Sequence, residues 1–69
     1  MKEYSEVTQR WFDADDSVFY VNPWQAAFFL DNSATLLDLF PRGDGKLVYV
    51  FSRDDHKRLS KLWRERKHD

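Results

Sequence analysis

The sequence predicts a small α+β domain: a three-stranded mixed sheet in the order β-α-β-β-α, two helices on one face of it, and a short N-terminal arm or helix. Three observations predict it. The run Leu47-Val48-Tyr49-Val50-Phe51 is apolar on both alternating faces, as a central strand is. It is joined to Leu36-Leu37-Asp38-Leu39-Phe40 by a loop with two glycines, the signature of a hairpin. Two segments carry helix-start signals, at Asn22-Pro23 and at Ser52.

Length and composition narrow the rest. A chain of 69 residues buries only about 60% of its unfolded surface and has room for one core. It divides into an N-terminal arm or short helix over residues 1–16 and a single α+β domain over residues 17–69, with no internal repeat. Cysteine is absent, which excludes disulfides, thiolate metal sites and cysteine nucleophiles. No stretch approaches the roughly 18 apolar residues that cross a bilayer, and the start MKEYSEVTQRW lacks the apolar run of a signal peptide. A cytoplasmic location and no membrane partner are expected. Aromatic residues make up 17% of the chain, with three Trp and six Phe, enough large side chains to give a tiny core useful stability or to furnish an interface.

Within residues 1–12, Tyr4, Val7, Trp11 and Phe12 recur at i, i+3, i+7 and i+8, which suits one face of a short helix. A flexible arm carrying Trp11 and Phe12 is the other reading. Asp13-Ala14-Asp15-Asp16 interrupts any element and leads into Val18-Phe19-Tyr20-Val21, a β-branched and aromatic strand. Asn22 then caps a helix that has Pro23 at its first position. Ala26, Ala27, Phe28, Phe29 and Leu30 make this helix apolar nearly all round and so buried, and Asn32 offers a left-handed exit. In the loop Pro41-Arg42-Gly43-Asp44-Gly45 both glycines are expected to take positive φ. Ser52 caps the last helix, Asp54 and Asp55 sit in its first turn and Arg64, Arg66 and Lys67 in its last, as the helix dipole favours. Its face of Leu59, Leu62 and Trp63 is expected to dock on the sheet, with Asp54 pairing with Arg58.

Charge is unevenly placed. Residues 1–16 carry −3, two cations against five carboxylates, and residues 53–69 carry +3, seven cations against four. On the last helix Arg53, Lys57, Lys61, Arg64 and His68 form a basic stripe at spacings of four, four, three and four. Such a stripe can meet a run of phosphates, so a nucleic-acid partner is one reading; a solvated helix face in a slightly acidic chain is the other.

No enzyme is expected. Asp54, Asp55 and His56 form an acid and imidazole group, but they occupy a first helical turn and no nucleophile matches their spacing. Asp13, Asp15 and Asp16 lack the loop and bidentate Glu of a calcium site, and no metal or cofactor is expected. Arg42-Gly43-Asp44 spells an adhesion tripeptide whose Gly and Asp are explained by turn chemistry. The candidate binding residues are instead apolar. Two helices on one sheet face leave the other wet, covered by the arm, or covered by a partner, and Phe19 with Val21, or Val18 with Tyr20, must point there. Trp11 and Phe12 are either a lid on that face or an exposed anchor for a protein partner or a homodimer.

The segments Gln25-Ala26-Ala27-Phe28-Phe29-Leu30, Leu36-Leu37-Asp38, Val48-Tyr49-Val50-Phe51 and Leu59 to Trp63 give residues 17–67 a resemblance to a family of small bacterial and phage-associated domains of unknown function. Members of that family usually have a glycine where this chain has Asn32 or Ser33. The resemblance implies this fold and a phage or mobile-element setting, and it names no active residue. The function expected is a non-enzymatic protein-binding module, an accessory or inhibitor that binds a host or phage protein. The alternative is a nucleic-acid-binding accessory that uses Arg53, Lys57, Lys61 and Arg64.

Overall fold

The computed structural model describes residues 1–66 and shows a small α+β fold with two helices and two antiparallel sheets. The elements are β1 (Lys2–Ser5), β2 (Arg10–Asp13), a 3-10 turn (Ala14–Asp16), β3 (Ser17–Tyr20), α1 (Pro23–Asp31), β4 (Leu36–Pro41), β5 (Leu47–Ser52) and α2 (Arg53–Glu65). β1 and β2 form a two-stranded sheet; β3, β5 and β4 form the other, in that order. The expected single mixed sheet is therefore corrected on two points. β5 lies between β3 and β4, the central place its two apolar faces predict, and opposes both, so every hydrogen-bonded pair among the described residues is antiparallel and the sheet is not mixed. The N-terminal segment, expected as a helix or arm, is a β-hairpin.

The alternation of β5 organises the core. Phe51 and Tyr49 face the helices and pack with Ala26 and Phe29 of α1 and Leu59 of α2. Val48 and Val50 face the other way and pack with Phe12 of β2. The sheet is thus covered by helices on one side and by the β1–β2 hairpin on the other, and two clusters share one strand. Tyr20, Phe29 and Phe51 form the aromatic centre of the first cluster, with ring centroids 5.0–5.9 Å apart.

The caps form as the local chemistry dictates. The Asn22 side chain accepts from the amides of Trp24 and Gln25 at 2.9 and 3.4 Å, and the Ser52 hydroxyl accepts from the Asp55 amide at 3.1 Å. The exit of α1 differs from expectation: Ser33, not Asn32, is left-handed, at φ 69°. The Ala34 amide reaches Phe29 O at 3.0 Å and the Ser33 amide reaches Leu30 O at 3.3 Å, the paired bonds of a Schellman motif. A β-carbon in this region costs about 1 kcal/mol. Ser33→Gly is therefore expected to stabilise the protein by about 1 kcal/mol, a rise in Tm of roughly 4–8 °C read by thermal unfolding.

Four further expectations are corrected. α1 is not buried all round: Ala26 and Phe29 are buried, whereas Trp24 is 78% and Leu30 45% exposed, because a helix on the outside of one sheet has neighbours on one side only. On α2, Leu59 is buried and Trp63 meets Phe28 edge to face at 5.4 Å, but Leu62 is nearly half exposed. Arg58 pairs with Asp55 at 3.0 Å rather than with Asp54, and also donates to Asn32 O at 3.1 Å. In the hairpin loop only Gly45 has positive φ, at 87°. Asp44 completes that turn by accepting from the Lys46 amide at 3.1 Å and from the Arg42 guanidinium, which together hold its carboxyl down to about 2.

Candidate functional site: an aromatic belt on the hairpin side

The hairpin is fastened to β4 by a polar clamp. The buried Ser5 hydroxyl donates to Asp38 Oδ1 at 2.6 Å and accepts from the Thr8 amide at 3.1 Å, and the Thr8 hydroxyl donates to Leu37 O at 3.1 Å. A bulge makes this possible. Between Leu36 and Asp38 the β4 register against β5 shifts by one residue, so Leu37 joins the Phe12 cluster while Asp38, opposite Val50, also turns toward the hairpin.

Fixing β1 and β2 in this way separates the two residues expected to act together. Phe12 is 5% exposed and inserts against Val48 and Val50, whereas Trp11, one residue earlier on a strand, points outward and is 67% exposed. Phe12 is therefore the lid and is corrected as a binding residue. Trp11 stands opposite Tyr4 across the hairpin, the rings edge to face at 5.3 Å. Tyr4 in turn lines a cleft of about 310 Å³ with Glu6, Val7 and residues 38–41. Phe40 lies in that cleft and meets Phe19 of β3 at 6.3 Å. Trp11, Tyr4, Phe40 and Phe19 thus form a belt contributed by four strands, two contacting ring pairs joined by the cleft that Tyr4 and Phe40 both line, with Glu6 and Asp38 also lining it. Val21 does not belong to the belt. It lines a separate cleft of about 380 Å³ with Pro23, Lys46, Leu47 and Tyr49, beyond the end of β3.

Sequence reasoning missed Tyr4, Phe40, Ser5 and Asp38. The signal available was Asp38 itself, a carboxylate inside the apolar run Leu36 to Phe40, which requires a partner when the strand packs.

The basic stripe of α2 is on the opposite side, while Lys2 and Arg10 are exposed on the hairpin. Lys57, Lys61 and Arg64 are exposed on α2 and enter no ion pair among the described residues. Arg53 is occupied: it donates to Asp15 O at 3.3 Å and lies 3.7 Å from Asp16. His68 and Lys67 lie outside the described residues. Arg66 stacks on Trp63, its guanidinium carbon 3.3 Å from the ring centre.

The residues weighed for chemistry serve different neighbours. Asp55 accepts from the Thr35 amide at 3.1 Å and pairs with Arg58, while His56 Nδ1 bonds the Tyr20 hydroxyl, whose pKa burial pushes up. Asp13 accepts from the Asp15 amide at 3.0 Å and caps the 3-10 turn. Among the described residues no three His, Asp or Glu side chains are grouped to hold a metal ion, and no helix is long and apolar enough to cross a membrane. In comparisons with family models, curated proteins and solved structures, the chain matches none.

Proposed function

We propose that the protein is a non-enzymatic binding module that captures another protein, a host or phage factor in the setting its sequence resemblance implies, through the Trp11–Tyr4–Phe40–Phe19 belt. The observation that carries this reading is the separation of the aromatic belt from the basic ridge of α2. Single-stranded nucleic acid needs rings to stack its bases and cations to follow its phosphates on one surface. Here the rings lie on the hairpin side beside Glu6 and Asp38, and the ridge of Lys57, Lys61 and Arg64 lies on α2 across the sheet, leaving Lys2 and Arg10 as the exposed cations of the hairpin. An exposed aromatic surface with charges of both signs at its margin suits a protein partner, and exposed Trp and Tyr are the residue types that dominate such contacts.

A second reading rests on Lys57, Lys61 and Arg64, exposed on one ridge of α2 and in no ion pair among the described residues. On this reading the protein is a nucleic-acid-binding accessory. Affinity capture from a bacterial lysate separates the two, run with and without nuclease, for the wild type, Trp11→Ala and the pair Lys57→Ala with Lys61→Ala. The expected result is a partner that survives nuclease, is lost with Trp11→Ala and is kept by the lysine variant. Nucleic acid recovered by the wild type, lost with the lysine variant, and weakening steeply as salt rises would establish the second reading instead.

A further inference from the structure

The three-stranded sheet has two edges, and they are treated differently. The β4 edge carries the devices that block strand addition: a bulge at Leu37, the Thr8 hydroxyl on the Leu37 carbonyl, the hairpin clamped beside it, and Pro41 at its end. The β3 edge carries none of these. Ser17-Val18-Phe19-Tyr20 has no charge, no proline and no bulge, and among the described residues no backbone bond outside the β3–β5 ladder reaches residues 17–20. Half of the backbone N–H and C=O groups of such a strand, the outward-pointing ones, are left to solvent.

We propose that the β3 edge pairs with the β3 edge of a second copy of this chain, in antiparallel register about a two-fold axis, giving a continuous six-stranded sheet. Self-pairing is favoured by what lies along and beyond the strand. Side chains opposite each other across a sheet share a face. Phe19 faces the hairpin side with Val50, while Val18 and Tyr20 face the helices with Phe51 and Tyr49. A two-fold axis normal to the sheet and placed at Phe19 keeps like faces together and sets Phe19 opposite Phe19 of the second copy and Val18 opposite its Tyr20. The same register sets Asp16 opposite Asn22 of the second copy, at the start of its α1. Lys46 lines the cleft at that point with Val21 and Pro23, and enters no ion pair among the described residues. Asp15, which also pairs with the N-terminal ammonium, and Asp16, 3.7 Å from Arg53, are both well exposed and thus meet a lysine and a helix N-terminus rather than each other, at both ends of the interface. The two acidic turns stay apart. This surface goes beyond the proposed function and meets it only at Phe19, where the belts of the two copies would join.

Sedimentation equilibrium over a concentration series tests the pairing. The expected mass is twice 8.4 kDa at high concentration. Phe19→Lys sets two cations against each other at the axis and is expected to leave a monomer, with circular dichroism confirming the fold. Lys46→Glu sets like charges at both ends and is expected to weaken dimerisation at least about tenfold, and the exchange Lys46→Glu with Asp16→Lys is expected to recover it. A mass of 8.4 kDa at every concentration would overturn the proposal and leave the edge open to a foreign strand. So would a dimer indifferent to both Phe19→Lys and Lys46→Glu. Trp11→Ala is expected to leave the mass unchanged, so failure of the dimer and failure of the belt are read separately.

Discussion

Phe12→Ala is expected to cost about 3–5 kcal/mol, whereas Trp11→Ala next to it costs about 0.5–1.5 kcal/mol. The two residues differ only in which way a strand points them. Phe12 is the largest side chain that β2 sends into the cluster of Val48 and Val50, and its ring closes the sheet face that the helices leave open. Truncation removes its burial and leaves a cavity beneath a hairpin anchored otherwise by a few hydrogen bonds. Trp11 loses only its edge contact with Tyr4 and some solvent-facing area. A domain of this size has roughly 3–10 kcal/mol in all. Urea unfolding of Phe12→Ala should therefore show a large loss of midpoint or no folded baseline, with Trp11→Ala close to wild type. Comparable losses in both variants would mean that Trp11 is core and would remove the basis for the belt.

Asp38→Ala is expected to destabilise the protein by about 1–3 kcal/mol, the range for a buried polar group left without its partner. Asp38 Oδ1 receives both the Ser5 hydroxyl at 2.6 Å and the Leu39 amide at 2.8 Å. Ser5 is fully buried, so its hydroxyl has no water to turn to when the carboxylate is removed. Asp38→Asn keeps an oxygen in the same place and is expected to recover most of the loss, because the contact requires an acceptor rather than a charge. Urea midpoints for the two variants give the comparison. Equal losses in Asp38→Ala and Asp38→Asn would show that the negative charge is what holds the hairpin. The effect should also appear as faster amide exchange in β1 and β2, since the clamp is their main polar tie to the sheet.

The candidate surface was half legible in the sequence. Trp11 and Phe19 stand out as aromatic residues with no assured place in a core of this size. Tyr4 and Phe40 do not, since nothing local says that residues 36 apart line one cleft. Phe12 and Val21 were drawn into the same set by proximity in sequence, and the strand alternation and the end of β3 separate them from it.

What the sequence by itself determined are the features governed by neighbours along the chain. Asn22 and Ser52 cap helices through amides two and three residues away. The glycine-containing loop and the apolar alternation of β5 prescribe a hairpin whose second strand packs on both faces. Tertiary structure alone decided the N-terminal third. Tyr4, Val7, Trp11 and Phe12 fit a helical face as well as they fit two strands, and the balance is tipped by partners far away in sequence: Asp38 for Ser5, Leu37 O for Thr8, and Val48 and Val50 for Phe12. The same holds for the bulge that turns Leu37 and Asp38 toward the hairpin. A strand's pleat tells which residues share a side, and only the assembled sheet tells which side is buried.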